Sequence, residues 1–216
     1  MPLVSLLRAA VAGTLTLTPA IALATTPAAD SDLRFTVLKD GDPIGTHEIV
    51  IHRSGDRQTV SIDTAVVVRV AFVPVYRFEQ TASEVWQNGR ILSLESKTDD
   101  DGTNHSMAAT AGGMSLEVTG DGKHSQVDPD IMPASLWNRE IVDRHALLDT
   151  IDGSVITVNV ADLGASTLSS GDTRIVAEHY RMTGQFERDL WFDPSGRLVQ
   201  VEFKAQDGSD ILYRLQ

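Results

Sequence analysis

Residues 76–107 read YRFEQTASEVWQNGRILSLESKTDDDGTNHSM, and a weaker copy of the same pattern occupies residues 180–215. In each copy a strand-like run ends at a tryptophan, Trp86 or Trp191. A glycine turn and an arginine follow, and a second run leads into an Asp-Gly turn. Glycine turns between alternating runs are typical of β-hairpins. The pattern therefore predicts two consecutive hairpins, present twice, and it describes architecture more than chemistry.

The clearest strand lies just before the first copy. From Val60 to Phe72 most of the large apolar residues fall on even numbers, whereas Ser61, Asp63 and Arg69 stand at odd positions. A period of two places one face of a strand in a core and the other face at the surface. Similar runs separated by glycine turns predict about a dozen short strands over the chain.

Residues 128–149 depart from this alternation. Pro133 stands where a first helical turn accepts proline, so we predict one or two short helices here, around residues 134–141 and 145–148. Strands and helices do not alternate along the chain, which argues against a parallel sheet. We predict an all-β fold, an antiparallel meander that forms a rolled sheet or partly closed barrel, with one short helical segment; two stacked sheets are the alternative.

The beginning of the chain has the layout of a secretory signal peptide. Arg8 precedes an uncharged, largely apolar run that ends in Ala22-Leu23-Ala24, a small-x-small cleavage site. Threonines interrupt the run, which is shorter than the roughly 20 apolar residues of a membrane span. We therefore expect a periplasmic or secreted bacterial protein without a stable membrane span. The predicted parts are a signal peptide at 1–24, a tether at 25–32 and a single β domain at 33–216.

The net charge and the cysteine content of the chain restrict its expected compartment and its expected binding partners. The chain has no cysteine and a formal net charge of -12. Export without disulfides suits the bacterial envelope, whose oxidising compartment permits disulfides without requiring them. Nucleic-acid binding depends on clustered Lys and Arg that neutralise phosphates, so we expect no nucleic-acid partner.

The segments that are similar to known metal-binding motifs do not have the residue spacing that those motifs require. The run from His47 to His52 is similar to the zinc motif H-E-x-x-H, but a spacing of five on a strand points the two rings to opposite faces. The acidic run at 99–102 lacks the remaining ligands of a calcium loop. We predict no metal, no cofactor and no assignable catalytic residue. Four carboxylates, Glu84, Glu95, Glu187 and Asp189, either belong to a solvated face, which we favour, or are candidates for glycoside-hydrolase chemistry.

Three residues are candidates for ligand binding. His47 shares the parity of Ile49 and Ile51, so it should point inward, either as a hydrogen-bonded core histidine or as a ligand contact. Trp137 and Asn138 lie in the segment without alternation, where they either pack or cover the mouth of a rolled sheet.

Three classes of function follow from this fold. Concave apolar sites are where small molecules bind, so the first is an envelope protein that binds an apolar or amphiphilic ligand such as a lipid. The second is a structural or interaction module that contacts another envelope protein. The third is a carboxylate-dependent hydrolase.

Four turn motifs are spread over the predicted domain. They are Asp-Gly-x-Pro-Ile-Gly-x-His at 40–47, Glu84-Val85-Trp86-x-x-Gly89-Arg90, Ser135-Leu136-Trp137-Asn138 and Trp191-Phe192-Asp193-x-x-Gly196-Arg197-Leu198-Val199. Together they resemble an exported bacterial family of unknown function, domain of unknown function 6134. More distantly, the chain is similar in style to half-barrel envelope carriers of lipids and lipoproteins. The resemblance implies an envelope location and a β fold, and the family has no activity to transfer.

Overall fold

The computed structural model describes residues 31–170 and 173–216, so the predicted signal peptide and most of the predicted tether lie outside the described residues. Residues 31 and 32, the end of the predicted tether, already belong to the first strand. No helix in the described ranges is long and apolar enough to cross a membrane. The elements are β1 (Ser31–Lys39), β2 (Asp42–Ser54), β3 (Arg57–Val70), β4 (Val73–Gln87), β5 (Arg90–Asp100), β6 (Thr103–Gly112), β7 (Ser115–Gly120), β8 (Lys123–Val127), β9 (Met132–Pro133), a 3-10 helix (Arg139–Asp143), β10 (Ala146–Leu148), β11 (Val155–Ser170), β12 (Thr173–Gly184), β13 (Arg188–Phe192), β14 (Leu198–Lys204) and β15 (Asp210–Leu215).

All strands belong to one sheet, in the order β8-β7-β6-β5-β4-β3-β2-β1-β15-β14-β13-β12-β11-β10-β9. Strands that follow one another along the chain pair in the sheet, except for β8 and β9, and these pairs are antiparallel except for β9 and β10. The first and last strands pair in the middle of the sheet, with Phe35 opposite Leu215. The sheet therefore ends at β8 and β9 and is not closed. The predicted all-β antiparallel meander in a rolled sheet is confirmed.

The core covers one face of this sheet. On β3 the even-numbered Val60, Ile62, Thr64 and Val66 are buried, as the alternation predicts. The same parity continues along β4 through residues 82, 84 and 86, all of which are buried. Inward side chains from both halves of the sheet form a single apolar cluster. The sheet therefore curls around one shared interior.

The chain between β8 and β11, residues 128–154, lies in that interior, and we call it the inner segment. Its apolar side chains belong to the same cluster as both halves of the sheet. The Ser96 hydroxyl donates to the Thr150 carbonyl, and the backbone of Gly120 approaches Asp152 so closely that an added Cβ would lie 1.7 Å from the Asp152 carbonyl oxygen. Much of the concave face is thus filled by the protein itself.

The inner segment holds one short helix rather than two. A 3-10 helix spans Arg139–Asp143, so only the end of the helix predicted around residues 134–141 is helical. The helix predicted around residues 145–148 is wrong, because Ala146–Leu148 forms β10. This strand pairs with β11 on one side and with β9 on the other. Its backbone groups are satisfied by neighbouring strands instead of within a helical turn.

The two hairpin tryptophans are both buried, but they face opposite sides of the sheet. Trp86 is 4% exposed and lies in the main cluster. Trp191 is 7% exposed in a separate cluster with Ala177, while its neighbours Leu190 and Phe192 belong to the main cluster. Since adjacent side chains on a strand alternate, Trp191 points to the outer face. The two tryptophans are therefore not equivalent in their surroundings.

Candidate functional site

Two cavities adjoin the interior of the rolled sheet, and the inner segment contributes to both. The His47 cavity has a volume of about 120 Å³ and is lined by residues of β2–β4 and β13–β15 together with residues 134–136 and 149–151. The Trp137 groove has a volume of about 540 Å³ and is lined by residues 137–140, 195–197 and the ends of β1–β4. His47 is therefore not in the same cavity as Trp137 and Asn138.

Trp137 and Asn138 are engaged within the protein. Trp137 is 7% exposed, packs edge-on against Trp86 at 5.6 Å between ring centroids, and donates from Nε1 to Glu84 Oε2 at 2.9 Å. Asn138 caps the 3-10 helix, because its Oδ1 accepts from the Glu140 backbone N–H at 3.0 Å. The indole N–H and the amide oxygen are thus used for packing and capping.

Glu84 is a fully buried carboxyl between the two tryptophans. Its Oε2 accepts from Trp86 Nε1 at 2.7 Å as well as from Trp137, whereas Oε1 has no hydrogen-bond partner. Burial raises the pKa of Glu84, and the side chains of Ser135, Trp137 and Trp86 offset that effect only in part. Ser135 lies close to the carboxyl but makes no hydrogen bond of standard geometry with it. The surroundings therefore favour a neutral, protonated carboxyl.

A tight turn at residues 135–137 distributes side chains between the two cavities. The Trp137 N–H donates to the Ser135 carbonyl at 2.9 Å, and Leu136 between them has a φ of 67°. A bulky residue at positive φ is strained by roughly 1–3 kcal/mol and persists only where the surroundings hold it. Here Leu136 lines the His47 cavity while Trp137 reaches Glu84.

His47 points inward, as its parity predicts, and is 7% exposed. Its Nδ1 lies 2.7 Å from Thr64 Oγ1, and its ring lies between Phe35 at 5.8 Å and Tyr213 at 5.2 Å. Nε2 is buried and has no hydrogen-bond partner. Burial lowers the pKa of His47 to about 4, so the imidazole is neutral at pH 7. One ring nitrogen is satisfied by the core and the other is not.

A cation, Arg188, also lines the His47 cavity. The Arg188 guanidinium carbon lies 4.2 Å from the Phe186 ring centroid and 3.7 Å from that of Phe203. Asp149 and Tyr213 line the same cavity. Burial lowers the pKa of Arg188 to about 10, which leaves it cationic at neutral pH. The walls of the His47 cavity are thus mainly apolar, and they include a few polar groups such as His47, Asp149 and Arg188.

The Trp137 groove contains arginines that already have partners. Arg139 pairs with Glu178 at 2.9 Å, and Arg197 pairs with Asp193 at 3.0 Å. Its wall also includes Ser31, the first residue that the structure describes. The His47 cavity, with an unpartnered buried nitrogen, is the better candidate site.

The remaining motifs do not converge on a reaction centre. His47 faces the interior and His52 is exposed, so the two rings are on opposite faces of β2 as expected. Among residues 31–170 and 173–216, no three His, Asp or Glu side chains lie close enough together to hold a metal ion. Of the candidate carboxylates, Glu84 is buried, Glu95 and Glu187 are exposed, and Asp189 contacts His179 Nε2 at 2.6 Å.

The sequence contained a signal for Glu84 but none for Arg188. Glu84 stands at an inward position between Ala82 and Trp86, where a charged residue breaks the apolar alternation. Arg188 is 141 positions from His47, and only the pairing of β1 with β15 brings their strands to one cavity.

Comparison with known proteins gives a family but no function. No curated protein matches the chain. A family model described as Domain of unknown function (DUF6134) matches residues 35–216, which covers nearly the whole sheet and the inner segment. The chain therefore belongs to the DUF6134 family.

Proposed function

We propose that the protein is an exported envelope protein that binds a small apolar or amphiphilic molecule in the His47 cavity. The observation that carries the proposal is that a buried histidine with an unpartnered Nε2 is one of the residues that line this cavity. Buried polar groups without partners are rare in folded proteins, and ligand sites are concave apolar spaces with a few placed polar groups. A ligand that hydrogen-bonds Nε2 would satisfy the group that the protein leaves open.

The size of the cavity restricts the ligand. Its volume of about 120 Å³ is close to the roughly 150 Å³ of an engineered apolar cavity that takes benzene. Full-length acyl chains need more room, and the inner segment occupies much of the concave face. The proposal therefore narrows from lipids in general to a ligand the size of one ring or a short chain.

Thermal unfolding of the purified protein with a panel of small ring and short-chain compounds tests this binding. A ligand at ten times its Kd should stabilise the protein by about 1.4 kcal/mol, which raises Tm by about 3–6 °C for a domain of this size. The variant Ala82→Leu places extra carbon atoms in the cavity wall and should abolish the shift. Ala108→Leu, the same change at an exposed position of β6, is the matched control and should keep it. If no compound of the panel raises Tm, the proposal is wrong.

Export is tested separately. The leader and the Ala22-Leu23-Ala24 site support it. Protein recovered from the periplasm or the medium should begin at or near Thr25 when its N-terminus is sequenced. Mature material that retains Met1 would contradict export.

One observation favours a second candidate, an interaction module for another envelope protein. The β3–β4 hairpin ends in six apolar residues, 70–75, and Phe72 at its tip is 95% exposed. Exposed apolar clusters of this kind often mark contact sites. We name residues 70–75 the apolar hairpin tip.

Site-specific photo-crosslinking in the native envelope distinguishes this candidate. A photoreactive residue at Phe72 should give one discrete adduct if the apolar hairpin tip has a protein partner. Met114 in the β6–β7 turn is 93% exposed and is the matched control position. Equal labelling from both positions would count against a specific partner.

A further inference from the structure

The His47 cavity contains a guanidinium without an anionic partner. Arg188 Nη1 donates to the Glu187 carbonyl at 2.6 Å, and the rings of Phe186 and Phe203 cover the guanidinium carbon. In the part of the chain that the structure describes, Arg188 forms no ion pair. Aromatic faces attract a cation but supply no oxygen acceptor for its N–H groups, of which a guanidinium has five. Arg188 therefore retains hydrogen-bonding capacity at the cavity wall.

The charges nearest to Arg188 do not replace a partner. Asp149 and Glu187 act on Arg188 only from beyond ion-pair distance. Asp149 accepts from the Ile151 N–H at 2.7 Å, which holds its carboxyl in the turn of the inner segment. Arg188 is half-buried, and the cost of partly removing a cation from water is offset when a matching anion compensates its charge. The cavity is therefore suited to an anion that enters from outside the protein.

His47 provides a second hydrogen-bonding atom for the same ligand. Its Nδ1 is held by Thr64, whose hydroxyl can either donate to Nδ1 or accept from it. When the hydroxyl donates, the proton is on Nε2, and His47, which lines the cavity, carries an unpartnered Nε2–H donor. A carboxylate selects this tautomer without requiring His47 to be charged.

We propose that the ligand of the His47 cavity is a small monocarboxylate, an aromatic or short-chain acid, whose carboxylate is bound by Arg188 and His47. This inference rests on the binding function proposed above. A planar guanidinium matches a carboxylate with two parallel hydrogen bonds. One cation with Asp149 nearby suits a single negative charge better than the double charge of a phosphate monoester. The apolar part of the ligand packs against Phe78 and Leu136 in the cavity wall.

Binding of benzoate and benzamide, which have nearly the same shape, tests the proposal by isothermal titration calorimetry at pH 7. A hydrogen-bonded charge pair contributes enough that the wild-type protein should prefer benzoate by about 10-fold or more. Arg188→Gln should remove this preference and change benzamide affinity by no more than about 3-fold. Arg214→Gln removes an exposed arginine from β15, has the same effect on net charge, and should leave the preference intact.

The outcomes separate the two proposals. Equal affinity of the wild-type protein for benzoate and benzamide, or a preference that survives Arg188→Gln, overturns the carboxylate site and leaves the binding function standing. Failure of both probes and of the whole thermal panel overturns the binding function. Should Arg188→Gln not fold, as judged by its circular dichroism, Arg188→Lys replaces it. That change keeps the charge, removes the planar fork, and should reduce the benzoate preference to a few-fold.

Discussion

Protonation of His47 should make the protein lose stability in mild acid. In the native state burial lowers the pKa of this imidazole to about 4, whereas an unfolded chain has a value near 6.5. Between these values the unfolded state binds the proton and the native state does not. The contribution of His47 to stability is therefore complete above about pH 7 and is lost as pH falls towards 4.

The size of the effect follows from the same two values. A difference of about 2.5 pKa units corresponds to roughly 3 kcal/mol when the whole interval is crossed. Between pH 7.5 and pH 5 the loss should be about 2 kcal/mol, because pH 5 is still above the native pKa. Such a change is a sizeable part of the roughly 5–15 kcal/mol by which native proteins are stable.

The assay is urea unfolding from pH 7.5 to pH 5 for the wild-type protein and His47→Gln. Burial raises the pKa values of Glu84, Asp149 and Glu202, and these groups act in the opposite direction, since their contribution falls as pH rises. They are common to both proteins, so the difference between the two unfolding free energies isolates His47. That difference should shrink by about 2 kcal/mol on acidification. His124→Gln removes an exposed imidazole and is the matched control.

Parallel stability curves for wild type and His47→Gln would refute the reasoning. They would mean that the imidazole is solvated in the native protein, and the unpartnered Nε2 would then lose its significance. A curve for His124→Gln that reproduces the His47→Gln result would assign the effect to loss of any histidine instead of this buried one.

Three further predictions concern the interior. Glu84→Leu removes the acceptor of two buried indole N–H groups and should be less stable than Glu84→Gln by more than about 2 kcal/mol in urea unfolding; equal stability would contradict this. Trp86→Ala should cost about 3–5 kcal/mol, and an unchanged denaturation midpoint would show that the indole is not a core residue. Gly120→Ala should lower Tm far more than Gly112→Ala, because its Cβ would meet the Asp152 carbonyl oxygen at 1.7 Å, whereas the atom nearest to a Cβ on Gly112 is a Glu117 side-chain carbon at 3.2 Å. Similar Tm values would place the inner segment elsewhere.

The alternation of apolar residues predicted the direction of side chains better than their burial. On β3 the even positions from Val60 to Val66 are buried, but Val70 is 62% exposed, and Phe72 in the following turn is 95% exposed at the same parity. The two-residue period indicates on which face of the strand a residue lies, but it does not indicate whether anything covers that face. The hairpin extends beyond the core, so its last apolar residues form the apolar hairpin tip.

The site was less predictable than the fold because it depends on contacts between distant strands. The parity of His47 correctly gave its inward direction. Trp137 was proposed either to pack or to cover the mouth of the sheet, and no pattern in the sequence showed that its indole N–H would donate to a carboxyl 53 positions earlier. Arg188 was missed because an arginine beside Asp189 on a β-strand has the appearance of an ordinary surface residue.

The order of the strands explains why the cavity lies where it does. Because β1 and β15 pair in the middle of the sheet, its two free ends belong to the middle of the chain, at β8 and β9. The chain between those ends is the inner segment, which fills the interior and leaves the His47 cavity at one of its margins. The sheet supplies His47 and Arg188, while the inner segment supplies Leu136 and Asp149. Changes within the inner segment can therefore alter the size of the cavity without disturbing the strand pairing that holds its two polar groups.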